Sequence, residues 1–267
     1  MQPWHVTWST EGRHPIFATE AHLYRAVVAL GEVAGEDIVL FCIVDEHVHV
    51  VFYADRATLH RRIRGLTRVL RRLACVKVEP ARIRKIGGRK HMLTVLDYVL
   101  QQPEKHELPG HSALWGGGCL PDLVGARVVP RLNLQVRRCL PRFRLGWAFH
   151  AVKISTAPLD PMPIERLAQL GPARLADAAC FALCVASDAT DKGPATVMAR
   201  RSACVLAREG GLDLAALAAA LGVTAHTARR LARDPLPPKV RRAVLLCLAL
   251  RERVHQAGPR PEAKERR

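Results

Sequence analysis

The sequence predicts an α+β fold, with a small sheet and its helices in the first part of the chain and a mainly α-helical C-terminal region after it. Two patterns predict this fold class. Up to residue 90, short apolar runs of strand length alternate with segments of helical periodicity, whereas helical periodicity prevails beyond residue 130. The chain has 267 residues, of which 49% are hydrophobic, so it is long enough for a substantial core and two domains.

Six elements are predicted in the first part of the chain, in the order β-α-β-β-α-β. The strands are expected at residues 4–10, 38–44, 47–53 and 77–86, and the helices at residues 20–34 and 56–76. Asp45 and Glu46 form the turn between the second and third strands, without the glycine that the tightest hairpin turns prefer. This order is typical of a ferredoxin-like sheet, which carries its helices on one face and leaves the other open for a substrate.

The rest of the chain is predicted to be helical apart from one glycine-rich connection. That connection, Trp115-Gly116-Gly117-Gly118, lacks the Gly-Lys-Ser/Thr ending of a phosphate-binding loop. The expected units are residues 1–108 for the sheet domain, 109–205 for a connecting helical region, 206–255 for a region like a helix-turn-helix, and 256–267 for a disordered, proline-rich charged tail.

Residues 214–231 resemble a helix-turn-helix. Ala218 permits close helix packing, Gly222 makes the turn and Thr224 caps the second helix. An ordinary alanine-rich helical hairpin is the alternative interpretation. If the segment binds DNA, its second helix presents basic side chains to a groove or to the backbone, namely Arg229, Arg230 and Arg233.

The charge of the chain predicts a polyanionic partner. Its formal net charge is +17 and its pI about 10.4, and twelve basic residues between positions 61 and 90 oppose one acidic residue, Glu79. Such a density of like charge is stabilised by bound phosphates, so nucleic acid is the expected partner. The predicted DNA contacts in this part of the chain are Arg61, Arg62, Arg64, Arg68, Arg71, Arg72, Arg84, Lys85, Arg89 and Lys90.

Other classes of protein are less favoured by the composition. No apolar stretch is long enough to span a bilayer and the N-terminus has no signal-like segment, so we expect no membrane partner and a cytoplasmic, nucleoid-associated protein. The eight cysteines include no Cys-x-x-Cys pair and lie mostly among apolar neighbours. They are expected to be reduced thiols, mostly buried, rather than disulfides or a zinc ribbon.

The triplet His47-Val48-His49 is a candidate metal site. Side chains alternate between the two faces of a strand, so both histidines point the same way and two imidazoles can hold a divalent ion. On this triplet alone, a half-polar strand face with hydrogen-bonded histidines is the commoner explanation.

A second fragment supplies a candidate nucleophile. A helix is predicted from Arg89 to Gln102 and is stopped by Pro103, so Tyr98 and Gln102 lie four residues apart on one helix face. A half-buried tyrosine beside a solvated glutamine is the alternative. Two imidazoles and an amide oxygen suit a bound Mg²⁺ or Mn²⁺, and a nearby cation favours the phenolate of a tyrosine that attacks a phosphodiester.

Together these residues resemble the single-tyrosine HUH transposases, most closely the REP-associated tyrosine transposases. The resemblance is carried by His47-Val48-His49 after an apolar strand and by the segment Tyr98-Val99-Leu100-Gln101-Gln102-Pro103-Glu104-Lys105-His106-Glu107-Leu108. The stretch from His5 to Phe17 is also similar to that family's first strand and loop. The resemblance covers about the first 108 residues.

The resemblance implies a role for each matched residue. His47, His49 and Gln102 would hold the metal, and Tyr98 would form a 5′-phosphotyrosine link to single-stranded DNA that carries hairpins, in a monomer or a homodimer. The chain departs from the family pattern at Gln102, where asparagine is usual, at Asp45-Glu46, which replaces Pro-Asn or a similar pair, and at Glu107, where glycine is common.

The leading functional hypothesis is therefore a transposase or nuclease that cleaves and rejoins single-stranded DNA by tyrosine transesterification. One alternative is a catalytically inactive, domesticated relative that binds DNA or regulates transcription. Another is a metal-dependent hydrolase that uses water. Only the first needs the hydroxyl group of Tyr98.

Overall fold

The structure, a computed structural model, describes residues 1–258. Its sheet has four strands in the order β2-β3-β1-β4, and every neighbouring pair is antiparallel. The strands are β1 Gln2–Ser9, β2 Ile38–Ile43, β3 His47–Ala54 and β4 Arg82–Lys85. The α+β class and all four strands are confirmed, but the last strand is shorter than the predicted residues 77–86. Pro80 has no N–H group to donate, and before it only Val78 forms an isolated bridge, to Thr10.

Two long helices cover one face of the sheet, close to the predicted bounds. They are α1 Glu20–Ala34 and α2 Arg56–Leu73, and they pack against each other. Thr19 and Asp55 cap their N-termini with side-chain hydrogen bonds. Trp8 fixes α2 to this face, because its indole Nε1 donates a 2.8 Å hydrogen bond to the Thr67 hydroxyl.

The remainder of the chain is helical, as predicted. Its helices are α3 Gly88–Leu100, α4 Gln102–Lys105, α5 Leu120–Leu123, α6 Val136–Cys139, α7 Leu145–Ala151, α8 Leu167–Leu170, α9 Pro172–Ala182, α10 Pro194–Glu209, α11 Leu214–Ala220, α12 Ala225–Leu231 and α13 Pro238–Gln256. Short 3-10 helices lie at Glu11–Arg13, Ser112–Leu114 and Ile164–Arg166. One cluster of buried apolar side chains joins the sheet to these helices. None of the described helices is both long and apolar enough to cross a membrane.

The prediction of disorder is wrong for the first residue of the predicted tail, which is helical. Gln256, where the sequence predicts that disorder begins, is the last residue of α13. Residues 259–267 lie outside the described residues.

The predicted helix that carries Tyr98 is interrupted one residue before Gln102. It ends as α3 at Leu100, and Gln102 is the first residue of the four-residue helix α4. Pro103 explains the break, because proline cannot donate a hydrogen bond to the carbonyl of Val99 and its ring clashes there. The helix α3 packs against β2, so it partly covers the sheet face opposite α1 and α2.

The glycine-rich connection, which the sequence does not predict to bind phosphate, has a structural role. The buried Arg127 guanidinium donates hydrogen bonds to the carbonyl oxygens of Gly116 and Gly118 and pairs with Asp122. Gly117 accepts a 2.9 Å hydrogen bond from the Ile43 amide, and a Cβ there would lie 2.3 Å from the Ile43 oxygen. Only glycine allows this close approach to β2.

The helices α11 and α12 pack against each other across a tight turn. Gly222 has a φ of +62°, Thr224 accepts a 3.1 Å hydrogen bond from the Thr227 amide, and Ala218 and Ala228 are buried. These local predictions are confirmed. Arg229 and Arg230 on α12 are exposed, whereas Arg233, predicted on the same helix, is exposed two residues beyond its end.

All eight cysteines are free, as the sequence predicts. Four of them are buried, and Cys75 is exposed.

Candidate metal centre and nucleophile

A cleft of about 430 Å³ opens on the sheet face that α3 partly covers. Side chains of β1, β3, β4, α3 and α4 line it. They include the predicted site residues Tyr98, His47, His49 and Gln102 and the predicted DNA contacts Arg84 and Lys85, all from one chain. The structure therefore brings together groups that lie far apart in the sequence.

His49 is the most deeply buried of the predicted metal ligands, with 3% of its surface exposed. In the pairing of β3 with β1 it lies opposite Thr7, while Val48 and Val50 point into the other face. Burial lowers the pKa of His49 to about 3, and the neighbouring His5, His47 and His106 add to that effect. The imidazole is thus neutral at pH 7 and carries one nitrogen lone pair.

The hydrogen bonding of His49 leaves one of its ring nitrogens without a partner among the described residues. Its Nδ1 lies 3.2 Å from Nε2 of His5, whereas its Nε2 is buried without a hydrogen-bond partner among the described residues. If Nδ1 donates its proton to His5, the lone pair is on Nε2. A hydrogen-bond acceptor beside a metal-binding histidine imposes the same tautomer.

His5 is a residue of the site that the sequence reasoning missed. Burial, followed by the nearby Arg84 and His91, lowers its pKa to about 4, so it is a neutral partner for His49. Alternation along β1 places His5 and Thr7 on one face, but the sequence does not give the register that pairs this face with His49.

His47 presents a second unpartnered nitrogen beside His49. The two ring centroids are 5.8 Å apart and the ring planes differ by 28°. Nδ1 of His47 is buried without a hydrogen bond among the described residues, although Oε1 of Glu46 lies 3.4 Å away. Burial lowers the pKa of His47, and the neighbouring Glu46 carboxylate opposes this shift.

Gln102 is buried, with 2% of its surface exposed, so the alternative of a solvated glutamine is wrong. Its Nε2 donates a 2.9 Å hydrogen bond to the carbonyl oxygen of Tyr98, which leaves the amide oxygen as the atom available for coordination. The Gln102 side chain also raises the pKa of His49, as an acceptor near that imidazole does. Two neutral imidazoles with unpartnered nitrogens and this amide fit a divalent cation.

Tyr98 is the tyrosine of the cleft. It is 40% exposed, and its ring centroid lies 5.5 Å from that of His49 and 6.0 Å from that of His5. The Lys105 ammonium lies 4.3 Å from the centroid of the Tyr98 ring. Tyr24, by contrast, is buried and donates a hydrogen bond to Glu20, and burial raises its pKa.

The predicted DNA contacts separate into groups on different surfaces. Arg84 and Lys85 line the cleft on the edge strand β4. The arginines of α2 lie across the sheet from it, and most of them are exposed, namely Arg61, Arg64, Arg68, Arg71 and Arg72. Arg62 instead pairs with Asp37 at 2.7 Å and donates a hydrogen bond to the Val33 carbonyl oxygen, so it links α2 to α1.

The two basic residues at the start of α3 are also exposed. They are Arg89 and Lys90. The guanidinium carbon of Arg89 lies 5.9 Å from the centroid of the Trp147 ring.

No family model, curated protein or solved structure was found to match this chain. A function must therefore be inferred from the side chains of the cleft and their geometry.

Proposed function

We propose that the protein is an endonuclease and strand transferase that acts on single-stranded DNA through a covalent tyrosine intermediate. The observation that carries this proposal is the convergence of Tyr98 with His47, His49 and Gln102 in one cleft. The two histidines each hold a buried, unpartnered nitrogen, which is the donor chemistry expected of an incomplete metal centre.

His47, His49 and Gln102 would hold Mg²⁺ or Mn²⁺, which when bound would polarise a phosphodiester oxygen. Tyr98 would attack the phosphorus through its hydroxyl oxygen. The new O–P bond forms as the bond from phosphorus to the 3′ oxygen breaks, the phenolic proton passes to solvent, and the leaving 3′ oxygen takes up a proton. Lys105, beside the Tyr98 ring, would stabilise the negative charge of the transition state.

The product would be a 5′-phosphotyrosine and a free 3′ hydroxyl. Because one phosphoester replaces another, the link can be resealed to a 3′ hydroxyl by the reverse reaction without ATP. This reversibility suits strand transfer better than simple hydrolysis.

The strand order supports the resemblance on which the proposed substrate rests. An antiparallel sheet of order β2-β3-β1-β4, with α1 and α2 on one face, supports the proposal of a ferredoxin-like domain. Single-stranded DNA with hairpins is the substrate that the resemblance to HUH transposases implies. Arg84 and Lys85 at the cleft offer its phosphates positive charge.

The α11–α12 segment is proposed as a second DNA contact, of the helix-turn-helix type. Its support is the turn geometry together with the exposed Arg229, Arg230 and Arg233. The same side chains favour the second candidate function, a catalytically inactive DNA-binding protein.

The test is covalent capture of DNA. The full chain is incubated with hairpin-bearing single-stranded DNA and Mg²⁺ or Mn²⁺, and the products are separated on a denaturing gel. We expect an adduct with the wild type and with Tyr53→Phe, and none with Tyr98→Phe. Binding without an adduct in any variant would support the inactive relative, and cleavage that survives Tyr98→Phe would identify a hydrolase that uses water.

A further inference from the structure

We propose a second metal site, formed by Glu46, His47 and His106, that selects a transition-metal ion such as Zn²⁺. One ligand atom from each of the three side chains lies within 4.8 Å of the others, and this is the one such group of histidine, cysteine and acidic residues in the described part of the chain. We call Glu46, His47 and His106 the outer set, and His47, His49 and Gln102 the inner set. The inference goes beyond the proposed function, because the outer set needs no DNA.

Asp45 holds His106 in the orientation that a metal ligand requires. Oδ1 of Asp45 lies 2.8 Å from Nδ1 of His106, so the carboxylate accepts the Nδ1 proton and leaves the lone pair on Nε2. The turn itself is anchored, because Asp45 accepts a 2.6 Å hydrogen bond from the Ile16 amide through its carbonyl oxygen. Many metal-binding histidines donate a hydrogen bond to a carboxylate in this way.

Glu46 and His47 supply the other two donors. Nδ1 of His47 is buried without a hydrogen bond among the described residues, and Oε1 of Glu46 is 3.4 Å from it. The Glu46 side chain is 17% exposed, and no Lys or Arg of the described chain forms an ion pair with it. A half-buried carboxylate beside two imidazoles is costly unless a cation neutralises it.

The donor types determine the class of ion. Two histidine nitrogens and one charged carboxylate oxygen are the ligands of many zinc and related transition-metal sites, whereas the inner set offers no charged ligand. Ligand atoms about 2.1 Å from a shared ion lie roughly 3 to 4 Å from one another. Small side-chain rotations of Glu46 and His106 would close the set around the ion.

The two sets compete for His47. A neutral imidazole has one lone pair, so binding through both nitrogens at once would require the loss of its remaining proton. The unpartnered nitrogen of His47 is Nδ1, so an ion held through it in the outer set withdraws His47 from the inner set. This consequence for DNA cleavage rests on the proposed function, but the zinc site does not.

The experiment is calorimetric titration of the full, metal-free chain with Zn²⁺, without DNA. We expect wild-type protein to bind Zn²⁺, and Glu46→Gln and His106→Ala to weaken binding by at least about tenfold. Asp45→Asn should weaken it by about tenfold through the orientation of His106. The exposed control His226→Ala should stay within about threefold of wild type, and His49→Ala should weaken binding less than His106→Ala does.

Three results would overturn the proposal. They are no Zn²⁺ binding by the wild type, full binding by Glu46→Gln, or a loss in His49→Ala equal to or greater than that in His106→Ala, which would show that the ion is not held by the outer set alone. Thermal melting of each variant checks folding, and if His106→Ala unfolds, the nearly isosteric Glu46→Gln decides the question alone. The adduct assay with Tyr98→Phe tests the proposed function separately.

Discussion

The two faces of the sheet carry the two strongest signals of the sequence, and they differ in chemistry. The cleft face holds buried, neutral histidines beside Tyr98, with the basic residues Arg84 and Lys85 on its edge strand. The opposite face carries α2, whose arginines are mostly exposed to solvent. The arginine-rich helix α2 and the side chains around Tyr98 therefore lie on opposite faces of the sheet, although both contribute to the functional prediction. On the proposed function, DNA at Tyr98 would meet β4 before it meets α2.

The largest difference between the faces is expected from single histidine replacements. His49→Ala removes a buried ligand of the inner set and should lower metal-dependent DNA cleavage by at least about a hundredfold, since a bound metal contributes several kcal/mol to the transition state. His60→Ala, an exposed histidine on α2, should leave the rate within about twofold. Equal rates for His49→Ala and wild type, measured by single-turnover cleavage, would remove the cleft from the mechanism.

The next effect concerns the orientation of His49. His5→Leu removes the hydrogen-bond partner of His49 Nδ1 and should weaken Mn²⁺ binding by about ten- to a hundredfold, as the loss of a group that orients a metal ligand does. His5→Gln retains an acceptor and should recover most of the affinity. Calorimetric titration with Mn²⁺ measures both variants. Equal weakening by the two variants would show that His5 acts only by packing.

A smaller effect is expected from the basic residues of the two faces. The double variant Arg84→Ala with Lys85→Ala should weaken binding of a short single-stranded DNA by about tenfold and reduce its salt dependence, because two phosphate contacts are lost. The matched double variant Arg64→Ala with Arg68→Ala, on α2, should weaken it less than threefold. The reverse order in a fluorescence titration at several salt concentrations would make α2 the main binding surface.

The last expected effect is on stability against pH. The pKa of His49 is lowered to about 3 from the ordinary value of 6.5, so the unfolded chain binds more protons than the folded one between these values. Stability contributed by this residue is present above pH 6.5 and is lost as the pH falls toward 3, by about 2 kcal/mol at pH 5. The free energy of urea unfolding of the metal-free protein, measured above pH 6.5 and at pH 5, gives this loss. His49→Gln should flatten this dependence, and an unchanged slope would contradict the assigned burial.

Much of the sheet was predictable because its signals are local. The apolar run 38–43 and the alternation after it specify β2 and β3, and the spacing of His47 and His49 specifies that they share a face. The predicted fourth strand is too long, because the sequence does not show which residues around Pro80 form hydrogen bonds with β1.

The remaining features of the site depend on contacts between distant residues. Nothing local reveals that His5 reaches His49, that Asp45 orients His106, or that α2 lies on the face opposite the cleft. The resemblance gave the roles of His47, His49, Tyr98 and Gln102 as a hypothesis, but it did not include the carboxylates of the turn. The contacts of His5 with His49 and of Asp45 with His106 depend on strand register and on the path of the chain after Pro103.

The central claim is that Tyr98 becomes covalently linked to DNA, and it is tested most directly by locating the link. Wild-type protein is reacted with hairpin-bearing single-stranded DNA and Mn²⁺, digested with nuclease and trypsin, and analysed by mass spectrometry. Trypsin should release residues 91–105, which contain one tyrosine, Tyr98. We expect this peptide to carry a nucleotide remnant attached through a 5′ phosphate. A remnant on the peptide that contains Tyr53, or DNA cleavage without any modified tyrosine, would contradict the account.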